Sequence, residues 1–223
     1  MITYLHQAIL DDNKERVLEL LDEGYSLENL NNEGWTPLML AAASDRMDVL
    51  ELLLENGAKD SHPEPITGQT VLMELASHGN LKIVQRMLKA GMEPNQSDRD
   101  HTTALQFAAS AGHSEIVSLL LDHGALIDHQ DRCRRASLSV AVCHRHLDCT
   151  SLLLKRGAWV DPPNLEGLTP LMFAVKMQNK EMVKLLLNHG ARTRMKDEFG
   201  RTAFTWANEV RNLELFNLLL SEG

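Results

Sequence analysis

Aromatic residues make up only 4% of this 223-residue chain, and cysteine occurs three times. An odd, low thiol count argues against a disulfide-framed secreted scaffold and for a reducing compartment. No stretch reaches the roughly 18 uninterrupted apolar residues that a membrane-spanning helix needs. Met1 to Asp12 lack the basic-then-apolar pattern of an export signal. Net basic charge is also missing: 31 acidic against 22 basic residues leave −9, the reverse of the balance common in nucleic-acid binders. A soluble, cytoplasmic chain is expected. At 43% hydrophobic it has enough apolar surface to fold rather than stay disordered.

What the chain does have is a repeat. Gly24, Gly57, Gly91, Gly124, Gly157, Gly190 and Gly223 recur at intervals of 33, 34, 33, 33, 33 and 33 residues. Each is preceded, 21 residues earlier, by Thr3, Thr36, Thr70, Thr103, Ala136, Thr169 or Thr202. Apolar pairs such as Leu53-Leu54 and Leu186-Leu187 stand just before the glycines. The one extra residue falls between the second and third repeats, where Ser61, His62, Pro63, Glu64 and Pro65 read as a loosened loop.

Each feature has a local cause. Thr36-Pro37 and Thr169-Pro170 are helix starts, because the hydroxyl accepts an orphan N–H and proline at the first helical position loses nothing. Leu38, Ala41 and Ala42 give the following short helix a small-residue face for close packing. A break at Gly79-Asn80 and Gly112-His113 leads into a second amphipathic helix, as over Ser114 to Asp122, which the periodic glycine closes. Turn formers such as Asn31, Asn32, Glu33 and Gly34 link one pair to the next. A helix pair this small cannot bury its own apolar face, so the pairs must stack in a row.

Gly34-Trp35-Thr36-Pro37-Leu38-Met39-Leu40-Ala41-Ala42, Ala108-Ala109-Ser110-Ala111-Gly112-His113-Ser114-Glu115-Ile116-Val117 and Leu186-Leu187-Asn188-His189-Gly190-Ala191 carry a resemblance to the ankyrin repeat family, which extends over all seven repeats. The resemblance implies an all-α solenoid of seven helix-turn-helix repeats with β-turn or hairpin loops. One domain over 1–223 is expected, with repeats at about 1–31, 32–65, 66–98, 99–131, 132–164, 165–197 and 198–223. The family's Thr-Pro-Leu-His-x-Ala signature survives best at Thr3-Tyr4-Leu5-His6-Gln7-Ala8. Elsewhere the histidine slot holds Met39, Met73, Gln106, Ser139, Met172 and Thr205, which implies weaker repeats without the family's Thr–His hydrogen bond. Polar residues on the outer helices of the end repeats, such as Glu15, Arg16 and Glu19 at one end and Asn212 and Glu214 at the other, are expected to cap a complete array with no appended module.

One cluster has ligand chemistry. Cys143-His144-Arg145-His146-Leu147-Asp148-Cys149, with Cys133 upstream, contains side chains that zinc favours. Register assigns them instead to the fold: Cys149 matches Ile83 and Ile116, His146 matches His113, and Cys143 matches Ala43 and Ser110. Phosphate-loop, zinc-protease and nucleophile-elbow motifs are missing. No metal, cofactor or catalytic activity is expected.

A partner protein is the expected ligand, bound by a monomeric chain on the concave face built from loop tips and first helices. Trp35, Leu165, Leu168, Met177 and Phe199 are large apolar groups at positions expected to meet water, a mark of interface anchors. Phe107, Phe173 and Trp206 share the register of Leu40 and read as framework. Arg132, Arg134 and Arg135 form a basic tip suited to carboxylates or phosphates, with Arg99 and His144 at neighbouring register positions. Arg134 and His101 stand where Gly34, Gly68, Gly167 and Gly200 make the turn. An adaptor ranks first, a stoichiometric inhibitor or neutralising protein second, and nucleic-acid contact through the basic tip third; no membrane partner is expected. Charge is uneven: residues 1–64 hold 14 acids and 4 bases, and residues 132–196 hold 4 acids and 12 bases. A bipolar surface that steers a complementary partner is expected.

Overall fold

A computed structural model describes residues 4–60 and 62–222. Thr3, Ser61 and Gly223 of the sequence pattern lie outside them. The described residues form fourteen helices in seven consecutive pairs. These are α1 (Tyr4–Leu10) and α2 (Lys14–Asp22), α3 (Pro37–Ala43) and α4 (Met47–Glu55), α5 (Val71–His78) and α6 (Leu81–Lys89), and α7 (Ala104–Ala111) and α8 (Ser114–Asp122). They continue with α9 (Ser137–Cys143) and α10 (Leu147–Lys155), α11 (Pro170–Lys176) and α12 (Lys180–Asn188), and α13 (Ala203–Glu209) and α14 (Leu213–Glu222). Two compact units are distinguished, residues 1–104 and residues 105–223. In the first, α1, α3 and α5 pack in a row and α2, α4 and α6 in another; in the second, α9, α11 and α13 stack beside α8, α10, α12 and α14.

Threonine caps start four of the first helices. Thr36, Thr70, Thr169 and Thr202 take extended backbone and accept the N–H three residues on, at 3.2, 3.3, 3.4 and 3.4 Å. Methionine in the family's histidine slot has a use that the sequence pattern did not show. The sulfurs of Met39 and Met73 lie 3.5 Å from the backbone N–H of Thr36 and Thr70, completing a reciprocal capping box with a weak acceptor. His6 Nε2 pairs with the carbonyl of Trp35 at 3.1 Å, tying the first repeat to the next loop. Gln106 makes the equivalent bond to the carbonyl of Arg135 at 2.7 Å.

The fifth repeat departs from these four. Ala136 replaces the capping threonine, α9 has no side-chain cap, and the hydroxyls of Ser137 and Ser139 are buried without a partner among the described residues.

Four second helices, α2, α6, α12 and α14, are capped by Asn13, Asn80, Asn179 and Asn212, each accepting the N–H three residues later, whereas α4, α8 and α10 start without a side-chain cap. The turn between the two helices of a pair is left-handed throughout. Gly79 and Gly112 adopt it at φ +79° and +81°, and Asp12, Asp45, Arg145, Gln178 and Arg211 are held there at φ 52–63°. The core is leucine-rich: Leu50, Leu53, Leu72, Leu75, Ile83 and Met87 in the first unit, and Leu105, Leu120, Leu138, Leu153, Leu171 and Leu186 in the second. Cys149 is fully buried among them, as its register implies.

Candidate functional site

The loop tips are built by one polar residue each. Asn31 accepts the backbone N–H groups of Glu33 and Trp35 through its side-chain oxygen, while its main chain brackets the turn. Asp98, Asn164 and Asp197 repeat this arrangement, and Asp131 accepts from Arg135 N–H. These are Asx turns, in which a short side chain imitates a backbone carbonyl. The third tip is longer by one residue: Gly68 N–H bonds to the carbonyl of Glu64, four residues back, where the other tips span three. The extra residue of the 34-residue interval therefore lies within residues 65–68, later than the loosened loop suggested. Glu64, one carbon longer than Asp, closes the longer turn by accepting from Ile66 and Thr67. Among the described residues strand pairing is confined to an isolated bridge, Ser97 with Thr103, so the tips are turns without extended hairpins.

Adjacent tips are joined through the main chain. Arg99 N–H donates to the carbonyl of Thr67, Leu165 N–H to Cys133, and Glu198 N–H to Glu166, at 2.9 to 3.1 Å. The approach is close enough that a Cβ on Gly167 would stand 2.9 Å from Cα of Asp197. Side chains on the tips are thus carried by a rigid backbone.

The structure sorts the expected partner-binding residues. Phe199 is 74% exposed and Leu165 54%, and Arg132 and Arg134 project from the fifth tip. Arg134 occupies the left-handed region at φ 57°, as does His101 at 62°, where four other tips have glycine. Leu168 is only 3% exposed and belongs to the core, a correction of the expected surface anchor. Its N–H and carbonyl are both held by Asn164, and unlike Arg135 and Arg201 in the same register it has no polar end to carry to water. Arg135 is committed to the turn: its backbone N–H and Nε donate to the two carboxylate oxygens of Asp131 at 2.8 Å each. Arg99 donates to the carbonyl of Pro65, linking the fourth tip to the third. Trp35 and Met177 are half-buried, with carbonyls that accept from His6 and Arg145.

His144 is exposed, stacked on His146 at 6.3 Å between ring centroids, with Nδ1 against the carbonyl of Val140 and Nε2 3.4 Å from Ser110 Oγ. His146 Nε2 meets the carbonyl of Ser110 at 2.9 Å, joining the fifth repeat to the fourth. Burial pushes the thiols of Cys143 and Cys149 up to about 11, so both are protonated at neutral pH. Among the described residues no three His, Cys, Asp or Glu side chains converge in a metal-binding geometry.

Some features escaped the sequence. Trp206 is framework, 6% exposed, yet two cations lie over its indole, with Lys176 Nζ 4.9 Å and Arg201 Cζ 4.0 Å from the ring centre. Arg201 also covers Phe199, at 4.8 Å, and its Nε donates to Asp197 at 2.8 Å. Burial opposes ionisation of Asp197, but N–H groups of Phe199 and Arg201 and the guanidinium hold its carboxyl below the usual range. Trp159, 45% exposed, follows the second helix of its repeat rather than a tip. Asp60 is buried and accepts the N–H groups of Val71 and Leu72 at 3.0 and 2.9 Å, a second cap for α5. In register Asp60 stands opposite Leu27, Pro94, Ile127, Val160 and Thr193, and a charged residue at a mostly apolar position was the available signal.

The pairing of capped short helices, glycine-closed second helices and Asx-turn tips is matched by known proteins. A family model described as ankyrin repeats (3 copies) matches residues 2–63, 72–164 and 138–223. The chain belongs to the ankyrin repeat family. The crystal structure of the human ASB11 ankyrin repeat domain aligns with TM-score 0.82 and 25% identity, covering 99% of this ankyrin chain and 98% of that one. Ankyrin repeat and SAM domain-containing protein 6 of Rattus norvegicus is 35% identical over 101 residues, 45% of this chain and 11% of that protein. Ankyrin repeat, SAM and basic leucine zipper domain-containing protein 1 of Equus caballus is 37% identical over 97 residues, 41% of this chain and 20% of its own length. Human ankyrin repeat and SOCS box protein 3 is 32% identical over 100 residues, 44% and 19% respectively. The matched segment thus spans about a tenth to a fifth of these curated relatives. Ankyrin repeats are general protein-interaction modules, and members of the family are generally non-catalytic.

Proposed function

We propose that this chain is a non-catalytic adaptor that binds a partner protein through its loop tips and the adjoining faces of its first helices. The observation that carries the reading is the rigid tip row of the second unit. There Phe199, Leu165 and Arg134 stand in solvent on turns fixed by side-chain and tip-to-tip hydrogen bonds. A large exposed side chain on a fixed backbone loses little further entropy on binding, which is what an interface anchor requires. Arg134 supports the reading from another direction: arginine in the left-handed region carries a backbone cost that glycine avoids, and the side chain offers a guanidinium in return. Cytoplasmic location, monomeric state and a single domain over 1–223 belong to the same proposal.

Affinity capture from native extract tests it. Phe199→Ala and Arg134→Ala should release a shared set of proteins, while Lys184→Ala, on exposed α12 surface, should retain them. Equal retention by all three would sink the reading. If the retained partner is an enzyme whose turnover stops at one equivalent, the function is inhibition rather than adaptor bridging.

A further inference from the structure

We propose that the inner face of the fifth to seventh repeats binds an acidic peptide segment of the partner, with carboxylates spaced by apolar side chains. This rests on the reading of tips and first helices as the partner face, and adds the chemistry of what binds there. Three observations support it. Residues 132–196 hold 12 basic and 4 acidic residues in a chain whose total is −9, and four of the twelve, Arg132, Arg134, Arg135 and Lys176, lie on the fifth tip and α11. Within that stretch Arg134 and Lys176 are exposed, and among the described residues neither has an ion-pair partner. Lys176 and Arg201 are also pre-positioned, laid over the Trp206 ring, with Phe199 stacked beyond Arg201. A long cation held on a ring face has already lost rotamer freedom, so pairing with a carboxylate orders it little further.

The pattern favours a peptide over a nucleic acid. Exposed Glu166 and Glu198 stand on the same tips, and Glu209 approaches Arg201 to 4.0 Å, so the positive charge is interrupted. A strand with one phosphate per residue would meet those carboxylates. An acidic peptide can place its charges against Arg134 and Lys176 and its apolar side chains against Leu165 and Phe199.

Selection of the full chain against a displayed library of random twelve-residue peptides tests this. Wild type should select sequences about twofold or more enriched in Asp and Glu over the library, interleaved with apolar residues. A synthesised winner should bind about fivefold more weakly to Lys176→Ala and to Arg134→Ala and unchanged to Lys184→Ala, with affinity falling about tenfold between 0.05 and 0.5 M salt. Selection of nothing, absence of acidic enrichment, or indifference to Lys176→Ala would overturn the proposal, as would tighter binding of a twelve-nucleotide single strand. Loss of native-partner capture by Phe199→Ala with no acidic enrichment would leave the partner face standing and remove only the acidic chemistry.

Discussion

Installing the missing cap of the fifth repeat tests the structural reasoning most quantitatively. Ala136 lies at the position where Thr36, Thr70, Thr169 and Thr202 accept the N–H of the third helical residue, and α9 begins without that bond. Ala136 is buried in the same extended backbone as those threonines, at φ −84° and ψ 165° against φ −87° and ψ 163° for Thr169. Ala136→Thr should therefore gain about 1 kcal/mol, the usual worth of a helix cap. Adding Ser137→Pro copies Pro37 and Pro170, deletes a buried hydroxyl that has no partner, and restricts the unfolded chain, for about 0.4–1 kcal/mol more. In a chain of this size about 1 kcal/mol moves the midpoint by about 2–4 °C, so the double variant should melt about 3–8 °C higher by circular dichroism. Amide exchange at Ser139, the residue whose N–H the new hydroxyl would accept, should slow. An unchanged midpoint together with unchanged exchange at Ser139 would refute the capping argument.

Four further outcomes follow from named contacts. Burial lowers the pKa of His6, so the folded chain favours its neutral form; this contribution is complete above the ordinary value of 6.5 and is lost as pH falls below it. His6→Gln, which copies Gln106, should keep the bond to the next loop and show a smaller loss of stability between pH 7 and pH 5 in urea titrations; equal losses in both proteins would contradict this. Arg134→Gly should raise stability by about 1 kcal/mol through relief of the left-handed backbone while weakening partner capture, and Gly167→Ala should lower stability. Leu168→Ala should cost about 2–4 kcal/mol as a core truncation, whereas Leu165→Ala should stay within about 0.5 kcal/mol, and similar values for the two would reverse their assignment.

The fold was legible because each repeat states its punctuation locally. Thr36-Pro37 announces its helix start, and Ser114 to Asp122 matches α8 residue for residue. The register correctly placed Cys149 in the core, but Ser137 and Ser139 read as capping or solvated hydroxyls and are instead buried beside an uncapped helix start. Contacts between repeats were less legible. Whether a side chain just before the threonine faces water depends on its polarity and on the tip beneath it: Arg135 and Arg201 reach out to pair with Asp131 and Asp197, while Leu168 turns inward. In the Lys176–Trp206–Arg201 arrangement Arg201 and Trp206 share the seventh repeat, but Lys176 comes from the sixth, 30 positions before Trp206, and no window within one repeat contains all three. Asp60 was hidden for the opposite reason, since its polarity marks a cap formed eleven residues downstream rather than a surface.

The central claim is that a partner protein sits on the tips and first helices. Amide exchange of the full chain, alone and saturated with the partner recovered from extract, addresses it directly. The account predicts slowed exchange at residues 132–135, 165–168 and 198–201 and at the C-terminal ends of α9, α11 and α13, around Cys143, Lys176 and Glu209, with α10 and α12 unchanged. Protection confined to α10 and α12, or to the loop around Trp159, would contradict it.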